Sequence, residues 1–176
     1  DPGLGSFVQR YRELLRADAV IWESGAKDDA DRPVMSLGAK GYLYLDVTVQ
    51  RTKADYPSRD CIFPNAAWDL TWALASLKDR AEHVLVDGFY DDVLPLSSGD
   101  EDILRELASD ISEDRLTAMG ADDFVLGLRG ADLARQLYLT PSCTISGLTA
   151  GFSGAGQKLL APGSASAKVE FRLIPN

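Results

Sequence analysis

An α+β domain is what this sequence predicts, on three observations. Residues 40–50 alternate, with Leu43, Leu45, Val47 and Val49 on one side and Tyr42, Tyr44, Asp46, Thr48 and Gln50 on the other. That is the period of a strand with one face on a core. Residues 164–173 alternate in the same way: Ala165, Ala167, Val169, Phe171 and Leu173 face in, and Ser166, Lys168, Glu170 and Arg172 face out. Between them, residues 65–78 read as a helix. Asn65, behind Pro64, can cap the free backbone N–H groups of its first turn. Ala66, Leu70, Ala73, Leu74 and Leu77 share one face of it, and Trp68, Trp72 and Ala75 the opposite one. A helix lying on a sheet needs a single apolar face. A Trp ring buries ~150–250 Å², and at ~25 cal/mol per Å² two such rings carry several kcal/mol. We therefore expect a second cover on the Trp side, either an insertion or another copy of the chain.

The remaining elements come in chain order. Phe7, Val8, Tyr11, Leu14 and Leu15 predict a lead-in helix over 5–16, within a segment 1–18. Residues 19–23 and 34–37 read as short strands, with an acidic loop over 25–32 and a mixed-charge loop over 51–63. Residues 84–90 read as a strand that Gly88 weakens. From 91 to 140 the chain turns acidic and loses alternation. Ser98 is the expected cap of a helix carrying Ile103, Leu104, Leu107 and Ile111, and short helical patterns recur at 114–119 and 131–137. We read this block as a helical insertion into a core formed by 19–90 and 141–176, and as the first candidate to cover Trp68 and Trp72. Residues 143–148 read as a strand. The run from Gly151 to Gly156 is a Gly-rich loop whose N–H groups could cradle an anion, although no P-loop Lys-Ser/Thr comes after it and a tight turn is the favoured explanation.

Bulk properties exclude several function classes. The 176 residues suffice for one domain, and 45% hydrophobic residues suffice for a core. A net charge of -9 argues against nucleic acid or an anionic membrane surface as a partner. No apolar run is long enough to span a bilayer. Cys61 and Cys143 make no disulfide framework, and a cytoplasmic location is the default expectation. The chain opens Asp1-Pro2-Gly3 without Met and stops at Ile174-Pro175-Asn176 directly after a strand. We expect it to be a piece of a longer protein.

The chemistry on offer is incomplete for an enzyme. His83 is the sole histidine and sits beside Glu82 in a polar turn. With Cys61 and Cys143 it shows no metal-ligand spacing, so no metal site is expected within the chain. Ser-His-Asp catalysis has only His83 to call on, and no Ser lies in a nucleophile motif. The carboxylate runs (Asp28, Asp29, Asp31; Asp91, Asp92; Asp100, Glu101, Asp102) have the form of solvated faces and helix starts. What remains is recognition: Arg172 on the polar face of the last strand, and Arg59 beside Asp60, can each fork onto a carboxylate, although exposed arginines are usually only solvated.

Several runs together resemble a known family. Phe63-Pro64-Asn65-Ala66-Ala67-Trp68-Asp69-Leu70 and Ala73-Leu74-Ala75-Ser76-Leu77-Lys78-Asp79 resemble the lid-domain helix of zinc exopeptidases of the carnosinase, acetylornithine deacetylase and succinyl-diaminopimelate desuccinylase type. Asp87-Gly88-Phe89-Tyr90-Asp91-Asp92-Val93 resembles the strand and loop after that helix in the carnosinase-like branch. Gly147-Leu148 through Gly156-Gln157-Lys158 to Ala161-Pro162 resembles its Gly-rich stretch, and Phe171-Arg172-Leu173-Ile174-Pro175-Asn176 the strand leading back into the catalytic domain. The resemblance covers nearly the whole chain and implies a ferredoxin-like antiparallel sheet with helices on one face, plus the helical insertion. It implies a lid that dimerises and is inserted in a separate catalytic domain, which binds two zinc ions with a bridging Asp and a Glu as general base. It implies no cofactor within this chain and no catalytic residue there beyond an oxyanion contact that Tyr56 could make.

Residue by residue, Arg172 matches the family Arg that grips the substrate's terminal carboxylate, and the resemblance adds Gly154, Gly156, Lys158 and Arg59 as substrate contacts. Leu159 stands where the family has a Thr, so that polar contact is lost. The family carries a His before the helix that reaches into the partner subunit's site and stabilises the oxyanion. Asp55-Tyr56-Pro57-Ser58 has none, and Tyr56 or Pro57 stands there. A Tyr56 hydroxyl could donate to an oxyanion in its place. The expected function is thus the substrate-capping and dimerisation domain of a zinc-dependent dipeptidase or aminoacyl amidohydrolase, inactive alone. Its expected partners are its own catalytic domain, a second copy, and a peptide or N-acyl amino acid. The alternative is a free-standing ferredoxin-like binding or assembly module without catalysis.

Overall fold

The computed structural model describes residues 2–20, 26–27, 31–34, 36, 38–109 and 111–174. Residues 1–38 and 39–176 are two compact units. The first contains helix α1 (Leu4–Arg10), continued by turns through Leu15, and a minimal antiparallel pair, β1 (Ala26–Lys27) with β2 (Pro33–Val34). The strand expected over 19–23 lies mostly outside the described residues. That expected over 34–37 is confined to Pro33–Val34, with residues 35 and 37 also outside them.

The second unit is built on β3 (Gly41–Gln50), β5 (Ser142–Ala150) and β7 (Ser164–Leu173). The last strand of the chain is the central one: the order is β3-β7-β5, antiparallel throughout. Ala165, Ala167, Val169 and Phe171 of β7 are buried, as their alternation requires. Their neighbours in the ladder include Val47 opposite Ala167, Val49 opposite Ala165 and Cys143 opposite Phe171. A bulge at Ser146 inserts one residue into β5 and keeps Leu148 level with Ala167. Helix α2 (Ala66–Ala75) lies on this face and buries Ala66 and Leu70 against β7 and β3. Its cap is Asn65, whose side-chain oxygen accepts from Ala67 N at 2.9 Å and Trp68 N at 3.3 Å. Burial pushes the Cys143 thiol pKa up, while the Lys78 charge opposes this.

Helices α3 (Ser98–Ala108), α4 (Asp114–Met119) and α5 (Gly130–Leu139) occupy the acidic block expected to be an insertion, with a 3₁₀ turn at Val125–Gly127. The cap of α3 is Ser97, one residue earlier than expected, because Ser97 and Asp100 form a reciprocal capping box. Ile111 lies beyond the helix.

Two expectations are corrected. The insertion does not cover the Trp face of α2. It buries Leu104, Leu133 and Ala134 where α3 packs on α5, with an Arg135–Glu101 ion pair at 2.6 Å, while Trp68 and Trp72 stay 57% and 62% exposed. Nor is there a strand over 84–90. Val84 is buried and makes an isolated bridge to Lys78, after which the chain turns, with Gly88 at φ +74. The α+β class with an antiparallel sheet stands as expected.

Candidate functional site

The outer face of the sheet carries the polar residues of all three strands. Tyr42, Arg172 and Ser142 stand level across it, and Tyr44, Glu170 and Thr144 form the next rung. Arg172 lies over the Tyr42 ring, 4.8 Å from its centroid. Its Nε donates to Glu170 Oε1, two residues back on the same face. Among the described residues no other hydrogen bond reaches the guanidinium. The next cation repeats the theme: Lys168 lies 5.5 Å from the Tyr44 ring centroid and bonds Asp46 at 2.7 Å, a contact that raises its pKa. Lys40 reaches back to the end of α5, donating to Thr140 O at 2.5 Å, where the helix dipole favours a cation. Its pKa is lowered, first by burial and then by the nearby Arg172 charge.

A second cluster sits at the opposite end of β7. Strands β4 (Tyr56–Pro57) and β6 (Leu160–Ala161) pair and bring the loops 51–63 and 151–160 side by side. Gly163 fixes the junction. Its N–H donates to Asp55 Oδ1 at 3.0 Å, and its carbonyl accepts from Arg51 N and Thr52 N. A β-carbon on Gly163 would lie 2.6 Å from Ala54 O. In the Gly-rich loop, Phe152 lies against Gly154, Lys158 Nζ stands 5.3 Å from the centroid of that ring, and Gly156 turns the chain at φ +84. Tyr56 donates its hydroxyl proton to Phe63 O at 2.9 Å, so the group considered for an oxyanion already holds its own loop together. Arg59 is exposed, 3.7 Å from the Asp60 carboxylate.

The structure therefore brings Tyr56, Arg59, Gly154, Gly156 and Lys158 into one region and leaves Arg172 outside it. From Ser164 to Arg172 is eight strand steps, or ~26 Å at ~3.3 Å per residue. An extended dipeptide spans only ~7 Å. One small peptide cannot touch both clusters of a single chain. Sequence reasoning missed Glu170 and Tyr42 as neighbours of Arg172. Glu170 is visible as a carboxylate two positions before it, whereas Tyr42 emerges only from strand register.

Among the described residues no group of three or more His, Cys, Asp and Glu side chains is placed to hold a metal ion. No helix among them is long and apolar enough to cross a membrane.

No family model matches the chain. Individual proteins do. The chain is 29% identical over 147 residues to human Beta-Ala-His dipeptidase, covering 82% of the chain and 29% of that protein. It is 27% identical over 180 residues to the Cys-Gly metallodipeptidase dug1 of Schizosaccharomyces pombe, covering 99% of the chain and 37% of that protein. Among solved structures, an M20 family metallo-carboxypeptidase from Sulfolobus solfataricus superposes with a TM-score of 0.90 at 31% identity, over 98% of this chain and 39% of that one. Human carnosine dipeptidase 1 shares the fold, with a TM-score of 0.75 at 24% identity. In sequence and fold the chain is similar to M20 family metallopeptidases and to carnosinase-type dipeptidases, and it spans roughly a third of the length of these relatives.

Proposed function

We propose that this domain is the substrate-capping and dimerisation lid of a zinc-dependent dipeptidase or related aminoacyl amidohydrolase. A separate catalytic domain, with two zinc ions, activates the water. The lid supplies recognition and meets a second copy of itself, in a cytoplasmic enzyme. The observation that carries this reading is the presentation of Arg172: a guanidinium fixed on the outer face of a sheet, with its terminal N–H fork turned to no protein acceptor among the described residues. A fork of this kind suits a carboxylate, bound through two parallel hydrogen bonds. It is the group that a dipeptide or N-acyl amino acid leaves at its end.

The distance between the two clusters supports a division of labour. Arg172 serves one active site. The paired loops carrying Tyr56, Arg59 and the Gly154–Lys158 run serve the site of the partner subunit. Dimer contact falls to the apolar surface formed by Trp68, Trp72 and the groove between α2 and the edge strand β5, about 460 Å³ and lined by Leu74, Ala75, Ile145 and Leu148. An apolar patch of this kind beside an open strand edge is suited to an isologous contact.

The test is hydrolysis of a panel of dipeptides by the full-length protein with zinc, after chelation, and by residues 1–176 alone. The reading expects metal-dependent turnover by the full-length protein and none by the isolated domain. Turnover by the domain alone, or a full-length protein that binds but never cleaves, overturns it. The second outcome would favour a free-standing binding module.

A further inference from the structure

Arg172 is constrained in a specific way. Its Nε edge is closed by Glu170, whose side chain is about one-fifth exposed, and its Cζ lies over the Tyr42 ring, 4.8 Å from the centroid. Glu170 holds the edge next to the methylene stem and leaves the far edge, Nη1 and Nη2, to the outside. A guanidinium on a flexible stem loses rotamer freedom when it binds. One already bonded at one edge and resting over a ring has lost part of that freedom beforehand. The charge balance points the same way. Lys168 is neutralised by Asp46. Lys40, Arg172 and Glu170 together leave one uncompensated positive charge beside the fork, which is the complement of a single carboxylate.

We propose that Glu170 and Tyr42 are positioning residues that fix Arg172 with its Nη1/Nη2 edge presented, and so set the preference for substrates ending in a free carboxylate. The proposal rests on the reading of Arg172 as the carboxylate grip. Neither residue touches the substrate; each acts through the guanidinium. Glu170 prevents rotation about the last side-chain bonds and keeps the carboxylate-binding edge from folding back onto the sheet. The Tyr42 ring supports the cation from below, and the ring matters, not its hydroxyl.

The experiment is steady-state kinetics of the full-length protein on a dipeptide and on its C-terminal amide, with variants E170Q, Y42F, Y42L, R172M and D46N. Loss of one charge-assisted contact should raise KM for the free dipeptide about tenfold in E170Q, with kcat within about twofold. The amide should be unaffected. Y42F should behave like the parent and Y42L like E170Q. D46N, which frees Lys168 as E170Q frees Arg172, should change neither substrate. The Arg172 Nε–H resonance should be sharp and slow to exchange with solvent in the parent and lost in E170Q. An unchanged KM in E170Q, equal losses on both substrates, or an equal effect of D46N overturns the proposal. R172M separates the two claims: if it raises KM for the free dipeptide while E170Q does not, the positioning role fails and the grip stands. If R172M leaves KM alone, both fall.

Discussion

Trp68 and Trp72 stack on one another, ring centroids 5.8 Å apart and planes 27° from parallel, on the outward side of α2. They shield each other and little else shields them. Truncating either ring should therefore cost the folded chain little: Trp68→Ala and Trp72→Ala should lose under ~1 kcal/mol in denaturant unfolding of the monomer. Leu70→Ala, at a site 1% exposed, should lose ~2–5 kcal/mol. If a second copy covers the pair, the same Trp variants shift the monomer–dimer equilibrium in analytical ultracentrifugation while leaving monomer stability intact.

Gly163 is the point where the two loops are clamped. No side chain fits between its Cα and Ala54 O, and its N–H and carbonyl both bond the 51–55 segment. Gly163→Ala must push backbone away from backbone, and overpacking of this sort costs ~1–3 kcal/mol. A thermal melt should record the loss. Asp55→Ala, which removes the acceptor without the clash, should lose less.

Asp100 gives a pH signature to the insertion. Its Oδ2 accepts from Ser97 N at 2.8 Å and Ser97 Oγ at 2.7 Å. These bonds favour the ionised carboxylate and lower its pKa from 3.8. The folded pKa lies below the unfolded one, so the contribution is present above 3.8 and is lost as pH falls through the folded value. Ser97→Ala should move the Asp100 carboxyl resonance titration back toward 3.8, and a variant that leaves the midpoint unmoved would rule out the capping box as its cause.

Much of this fold is legible in the sequence because one face of each long strand is buried and the other is not. The alternation at 41–50 and 164–173 places every inward residue of β7 correctly. It fails at one end of β3: Leu43 and Leu45 match the pattern but remain 44% and 40% exposed, since α2 does not extend over them. At 84–90 a buried Val84 looks like strand, yet the turns after it and the left-handed Gly88 end any pairing after one bridge. The two-residue strands β4 and β6 are too short to carry a period, and they make the loop cluster. The Trp face shows that apolarity alone does not imply burial within the chain. The acidic block looks like a cover, but the apolar residues it buries, Leu104, Leu133 and Ala134, lie where its own helices meet. At the candidate site, Arg172 is visible as a residue and Glu170 as its neighbour, while Tyr42 depends on a pairing 130 positions away in the chain.

In the proposed arrangement one lid serves two active sites, Arg172 at one end of β7 and the paired loops at the other. Its most direct test mixes full-length R172M subunits with full-length subunits carrying a loop variant, Lys158→Ala with Arg59→Ala. Each parent dimer should be impaired on a free dipeptide. In the mixed dimer one site receives both defects and the other receives neither, so random mixing should restore about a quarter of the unsubstituted activity. A mixture no more active than its components, or a loop variant with full activity, would show that the two clusters do not serve separate sites.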